Sequence, residues 1–296
     1  MKPSVIRVCA PAKINLDLRI VGTRADGLHE LRTIFQSLEL HDTLVFRTRL
    51  GPFQVRCRAA DVPVGRTNLV WRAAAALWSA MGREGDPRDA SAAISKRIPV
   101  AAGLGGGSAD AAAALVGLGR LWGARLSAAQ LSDLAAGLGA DVTFVLRGGT
   151  ALGLGRGDEI YSLAPLDRQW VVLALPGVAV STANAYVWYD EDVTLRSGIA
   201  PPITPPLAWP RLDGLVNDLE APVVRRLPVV GRAKSVLASA AARRAGMAGS
   251  GSAVFGLFTD RAAASLAARE AKREGYNVII TRTTDGRAHR RLIAAW

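Results

Sequence analysis

From Arg97 to Asp110 the chain reads Arg-Ile-Pro-Val-Ala-Ala-Gly-Leu-Gly-Gly-Gly-Ser-Ala-Asp, and five small residues in a row, Gly105 to Ala109, stand where an alanine-rich helix begins. Glycine permits positive φ and has no Cβ to keep an anion away, while a helix start offers unpaired amides and the positive end of its dipole. This corner suits phosphate. A Walker-type loop is excluded, because its last glycine must be followed by Lys and then Ser or Thr, whereas Gly107 is followed by Ser108 and Ala109. A dinucleotide fingerprint is excluded by Ser108 and Asp110, which occupy its third-glycine positions. The competing structural reading is a glycine-rich turn that only lets a helix lie close to a sheet.

The flanking residues extend the pattern. Pro-x-x-x-Gly-Leu-Gly-Gly-Gly-Ser-Ala, from Pro99 to Ala109, resembles the nucleotide loop of the GHMP kinases. Within that superfamily the triple glycine, where relatives often carry serines, resembles the branch acting on cytidine-diphosphate methylerythritol in the non-mevalonate isoprenoid pathway. Further segments agree in the same order: Pro11-Ala12-Lys13-Ile14-Asn15-Leu16, Arg24-Ala25-Asp26-Gly27-Leu28-His29-Glu30-Leu31, Leu138-Gly139-Ala140-Asp141-Val142 and Met247-Ala248-Gly249-Ser250-Gly251-Ser252. The resemblance implies a two-domain α+β architecture, with an N-terminal lobe like domain 2 of ribosomal protein S5, a ferredoxin-like C-terminal lobe, and a cleft between them.

The same resemblance implies ATP-dependent phosphorylation of the 2-hydroxyl of 4-diphosphocytidyl-2-C-methyl-D-erythritol. Phosphoryl transfer of this kind asks the protein mainly to position the nucleotide, neutralise charge and orient the hydroxyl. ATP would lie on Pro99, Val100, Ala101, Ala102, Gly103, Leu104, Gly105, Gly106, Gly107, Ser108 and Ala109. Ser108 at the helix start would donate to phosphate or touch the metal. Asp141 would take the hydroxyl proton, and Lys13 would keep that carboxylate ionised and offset developing charge. Asn15, His29, Thr182 and Tyr186 would serve the cytidine end, with Gly249, Ser250 and Gly251 near the phosphates or the methylerythritol. Leu28 stands where relatives usually place an aromatic, so one face of the cytosine would rest on an aliphatic side chain. No dedicated metal cage is visible, so Mg²⁺ is expected to arrive with ATP.

These groups need a frame. Residues 4 to 10 and 13 to 21 alternate as strands, placing Lys13, Asn15 and Asp17 on one face. Leu31 to Phe46 predicts a second extended region, broken near His41-Asp42. Asn68 caps a helix to about Gly82, and Ala92 to Ile98 predicts the strand entering the loop. The following helix is expected from Ser108 to Trp122, Ser127 and Gln130 form a capping box, and Asp141 falls in a turn. After a buried strand from Trp170 to Leu175, Ile199 to Pro210 reads as a stiff proline-rich connection. A helix is expected from Arg232 to Arg244, a strand from Ala253 to Phe258, a helix from Arg261 to Glu274 and a strand from Tyr276 to Thr283. A domain boundary near Leu163 gives lobes 1–163 and 164–296.

Composition narrows the remaining classes. The 296 residues, 50% of them hydrophobic, suffice for a substantial core near the size at which single cores divide. No apolar stretch approaches membrane-spanning length, so a cytoplasmic protein is expected. Cys9 and Cys57 are too few for a disulfide framework, and His29, His41 and His289 show no zinc spacing with them. The net charge of +12 comes from scattered arginines without aromatic interleaving, which argues against a nucleic-acid partner and suits a polyanionic small molecule. A monomer or weak homodimer is expected. The rivals are a related kinase acting on homoserine, mevalonate or a sugar, and a silent nucleotide- or RNA-binding protein of the same fold.

Overall fold

The long hairpin of β1 (Val5–Thr23) and β2 (His29–Pro52) forms the backbone of the N-terminal half. Its turn is closed by the Arg24 amide donating to Leu28 O at 2.7 Å, while the Asp26 carboxylate accepts from the Leu28 amide. The computed structural model describes residues 4–195 and 214–294, so the connection expected from Ile199 to Pro210 lies outside the described residues. Two expectations need correction here. The segments read as separate strands before and after Pro11-Ala12 are one strand, which bends at register shifts between Pro11 and Lys13 and between Asn15 and Asp17. The break expected at His41-Asp42 is absent: Asp42 is fully buried and bonds to the chain beyond β4 (Arg88–Ser95) instead of making a local turn.

With β3 (Gln54–Cys57), β5 (Thr150–Leu154) and β6 (Glu159–Ser162), these strands build a six-stranded sheet in the order β3-β4-β2-β5-β6, with β1 on β2. Against it pack α1 (Leu69–Ala80), α2 (Gly106–Trp122) and α4 (Ala140–Arg147), with α3 (Ala128–Leu138) lying on these helices. Small side chains bring α2 close to the sheet. Ala109 and Ala111 to Ala114 are fully buried, and a Cβ on Gly117 would fall 2.3 Å from the Phe46 ring. The Asn68 cap and the Ser127–Gln130 capping box are both present.

The C-terminal half contains β7 (Trp170–Leu175), α5 (Thr182–Leu195), α6 (Glu220–Arg226), α7 (Pro228–Ser239), β8 (Arg244–Met247), β9 (Val254–Phe258), α8 (Arg261–Arg273), β10 (Asn277–Arg282) and α9 (Gly286–Ile293). Its antiparallel sheet runs β10-β7-β9-β8, the fourth-first-third-second order of a ferredoxin-like fold. The helix expected from Arg232 begins earlier, because Pro228 sits in its first turn, where a missing amide costs nothing, and Arg244 belongs to β8. Two hydrophobic cores result, one under each sheet. They are stitched together: Leu18 and Ile20 of β1 enter the second core, and α9 returns to the first half. There the buried His289 donates from Nε2 to Val145 O at 2.6 Å. Among the described residues no helix is long and apolar enough to cross a membrane.

Candidate active site

The glycine loop owes its shape to backbone signs. Ala101, Gly103 and Gly105 have φ of 53°, 76° and 70°, separated by residues of ordinary φ, an alternation that turns successive amides toward one concavity. Gly105 is the N-cap of α2 and no side chain caps it, so the first-turn amides of Gly106, Gly107 and Ser108 face outward unpaired by any cap. The helix thus starts two residues before Ser108, which lies inside the first turn instead of at its start. The loop cannot move independently of its surroundings. The Lys13 amide donates to Leu104 O at 3.1 Å, the Ala253 amide to Ala102 O at 3.2 Å, and a Cβ on Gly103 would fall 1.9 Å from Ala248 O. The early and late glycine loops therefore pack backbone against backbone.

A cavity of about 390 Å³ opens over the loop, and a second of about 300 Å³ lies beside it. Their common wall holds Lys13, Ser108, Asp141, Thr182 and Ser250. Lys13, which projects from β1 at a register shift, is 5% exposed, and its Nζ lies 3.1 Å from Asp141 Oδ2. The ammonium also donates to Asn15 Oδ1 at 2.8 Å, Asn15 Nδ2 donates to Thr33 Oγ1, and Thr33 Oγ1 donates to Asp17 O. This chain of bonds holds a buried cation in one orientation. Asp141 is not in the expected turn but in the first turn of α4, where the helix dipole favours its negative charge. Its neighbour Tyr186 has its phenol pushed well above the usual range, by burial first and by the charge of Asp141 second.

The other predicted residues divide. Pro99 through Ser108 line the larger cavity, whereas Ala109 is buried in α2 and reaches neither. Asn15, Thr182, Tyr186, Gly249 and Ser250 line the smaller one, and Thr182 Oγ1 lies 3.1 Å from Ser250 Oγ. His29 is outside both walls: its ring stacks on Tyr186 at 4.8 Å between centroids, and its Nε2 lies 2.8 Å from Asp190 Oδ1. Gly251 also lines neither cavity; a Cβ there would meet Met247 Sδ at 2.8 Å. Leu28 is 49% exposed in the hairpin turn.

Comparison with known proteins places this geometry in a family. The GHMP kinases N-terminal domain family matches residues 68–149 and the GHMP kinases C-terminal family matches residues 209–277. A 4-diphosphocytidyl-2-C-methyl-D-erythritol kinase of Pelotomaculum thermopropionicum is 43% identical over 289 residues, covering 96% of this chain and 99% of its own. One from Geobacter sp. strain M21 is 42% identical, covering 94% and 99%. The chain belongs to the 4-diphosphocytidyl-2-C-methyl-D-erythritol kinase family. A crystal structure of a kinase of that description superposes with a TM-score of 0.76 at 34% identity, covering 94% of this chain and 98% of the other. A homoserine kinase from Cytophaga hutchinsonii superposes at 0.65 with 18% identity, a likeness of fold alone. Membership in the 4-diphosphocytidyl-2-C-methyl-D-erythritol kinase family makes this a small-molecule kinase with ATP as co-substrate.

Sequence reasoning missed part of the walls. Asp61, Val62, Pro63 and Thr67, ahead of α1, close the larger cavity, where Lys96 and Asp110 also appear. Arg156 and Phe35 contribute to the smaller one. Asn68 was legible as a cap, and a cap beside a phosphate loop was the available signal for that wall; nothing local marks Arg156.

Proposed function

We propose that the chain transfers the γ-phosphoryl group of ATP to the 2-hydroxyl of 4-diphosphocytidyl-2-C-methyl-D-erythritol, within the non-mevalonate supply of isoprenoid precursors. One observation carries the reading: the Lys13–Asp141 pair stands in the wall shared by a cavity floored with bare amides and a second cavity of acceptor size. ATP lies on the amides between Gly103 and Ser108, and the acceptor enters from the side of Asn15 and Tyr186. Asp141 accepts the hydroxyl proton as the oxygen attacks. Lys13, 3.1 Å from that carboxylate, offsets the charge building on the transferred group.

Tyr186 offers a ring face to the cytosine. His29, stacked on Tyr186 and bonded to Asp190 through Nε2, stands beside that ring as the second group for the base. Thr182, Ser250 and the amides of Gly249 and Gly251 serve the diphosphate and the polyol. The Ser108 hydroxyl, a hard oxygen donor on the shared wall, fits Mg²⁺ brought in by ATP and held mostly by phosphate oxygens and water, which would supply neutralisation of phosphate charge. We place the boundary between the lobes at 163/164, in the segment joining the two sheets, and read the protein as cytoplasmic and monomeric or weakly dimeric.

A coupled ADP-release assay over four acceptors tests the substrate: cytidine-diphosphate methylerythritol, homoserine, mevalonate and galactose. Turnover of the first well above the others is expected. Preference for any of the other three would overturn the acceptor assignment.

A further inference from the structure

The chain on either side of the nucleotide loop is held by charge. β4 ends at Ser95, and the next residues hang on one fully buried carboxylate: Asp42 of β2 accepts from the amides of Arg97 and Ile98, the latter at 2.9 Å, and from Lys96 Nζ. The same ammonium donates at 2.8 Å to Oδ2 of Asp110, one turn into α2. Lys96 therefore bridges the chain that enters the loop and the helix that leaves it. Lys96 and Asp110 both line the nucleotide cavity, and a Cβ on Gly106 would lie 3.3 Å from Lys96 Nζ.

The charge balance of this cluster is odd for a phosphate site. Two buried carboxylates face one ammonium, and Asp110 Oδ1 is buried with no hydrogen-bond partner among the described residues. Burial pushes the Asp110 carboxyl above the usual carboxylate range, with Asp42 adding to the rise and Lys96 opposing it; the two carboxylates hold Lys96 above its ordinary value against desolvation. Anion binding alone would favour a neutral residue at 110, because a carboxylate repels the polyphosphate. Its presence calls for a mechanical reason, and the geometry supplies one. Without the Lys96–Asp110 bond, the first turn of α2 would be related to the incoming chain only by backbone and by the apolar packing of Ile98 beside Gly106, which sets no polar register, and the amides of Gly106, Gly107 and Ser108 would be held less firmly at their distance from those of Ala101 to Gly103.

We infer that Lys96, with Asp42 and Asp110, is a positioning clip that sets the span of the nucleotide loop, so that ATP affinity depends on an aspartate of the same sign as the ligand. The inference rests on the reading of the larger cavity as the ATP site. A clip acts on ATP and not on the acceptor, which separates it from a general contribution to folding.

The test is steady-state KM for ATP and for the acceptor, with thermal unfolding alongside, on Lys96→Met, Lys96→Arg, Asp110→Ala and Asp110→Asn. Lys96→Met is expected to raise the ATP KM about tenfold or more and Asp110→Ala about fivefold, with the acceptor KM within about twofold of wild type. Asp110→Asn keeps an oxygen for Lys96, and Lys96→Arg keeps a bridging cation, so both should stay within about threefold. The deciding variant is Asp110→Ala. Assayed at alkaline pH, where even the raised Asp110 carboxyl is ionised, it removes a negative charge beside the phosphates, so electrostatics alone predicts tighter ATP and the clip predicts weaker. An ATP KM that is unchanged or lower in Asp110→Ala, or an acceptor KM rising in step with it, overturns the clip while leaving the kinase reading intact. Wild-type protein that shows no ATP turnover with any acceptor overturns both. If Lys96→Met does not fold, Asp110→Ala against Asp110→Asn decides on the same criteria.

Discussion

Gly105→Ala should damage turnover through Lys13, a residue 92 positions away. A Cβ at Gly105 would sit 2.9 Å from Lys13 Cγ, 3.1 Å from Lys13 Cε and 3.6 Å from Asp141 Oδ2. Two of those atoms belong to the stem of the lysine, so the side chain has to leave its present rotamer. The backbone adds strain of its own, because φ is 70° at this residue and alanine in the left-handed region costs about 1–2 kcal/mol. With an effective dielectric near ~20, opposite charges at the observed 3.1 Å attract by about 5 kcal/mol, and moving the ammonium out to about 4.7 Å leaves about 3.5 kcal/mol. That difference alone is about 20-fold in rate if it falls on the transition state, and a misdirected ammonium extends the loss toward about 10³. The assay is ADP release at saturating ATP and acceptor, with thermal unfolding measured in parallel. Gly107→Ala is the control: its Cβ meets only Leu69 Cδ1, at 3.4 Å, and its φ is not positive, so kcat should hold and any change should fall on the ATP KM. A Gly105→Ala enzyme with kcat within about twofold of wild type, or an equal fall in Gly107→Ala, refutes the reasoning.

Asp141→Asn should bind ATP nearly as wild type while losing about 10²–10⁴ in kcat, and retention of more than about a tenth of turnover removes Asp141 from proton abstraction. Leu28→Tyr should give the cytosine a second ring and lower the acceptor KM about 2- to 10-fold, given about 0.5–1.5 kcal/mol for an aromatic pair; an unchanged or higher KM takes position 28 out of the base site. His289 has its pKa lowered from 6.5 to about 4, chiefly by burial, with Nδ1 unpartnered among the described residues and the Arg290 charge adding to the fall. The folded state resists protonation, so this contribution to stability is intact above pH 6.5 and is lost as pH falls from 6.5 toward 4, reaching about 3 kcal/mol at most. Urea midpoints across that window should fall more steeply for wild type than for His289→Gln, and parallel slopes would count against it.

What was legible in the sequence shares a physical character. The bare-amide loop, the Asn68 cap, the Ser127–Gln130 box and the buried strand at Trp170 are local patterns, in which neighbouring residues satisfy one another. The errors are equally instructive. Asp42 resembles a turn former because its side chain can bond nearby backbone, but here it bonds amides 55 and 56 positions away and the strand runs on. Asp141 after Gly139-Ala140 resembles a turn residue for the same reason, and becomes a first-turn helix residue because its partner, Lys13, comes from another element. Short polar side chains have local and distant solutions of similar energy, and only tertiary structure selects between them.

The site itself belongs to the second kind. Neither cavity is written in one stretch: the larger joins segments around positions 13, 61–69, 96–110, 141, 180–182 and 250, and the smaller adds both strands of the first hairpin and α5. What brings them together is the stitching of the lobes, through Leu18 and its bonds to Val216 and Asp218, the seat of Ala253 on Ala102, and the contact of Gly103 with Ala248. These are backbone contacts, which is why glycines and alanines stand there: a side chain at Gly103 would force the loops apart and open the wall that Lys13 and Asp141 share. A phosphoryl donor and an alcohol bound in separate cavities react only if that wall is thin, and its thinness depends on residues with almost no side chain. On the proposed reading the glycines would serve two ends, exposing amides to a nucleotide on one surface and allowing close approach of the second loop on the other, so a substitution at Gly103 should damage both cavities at once.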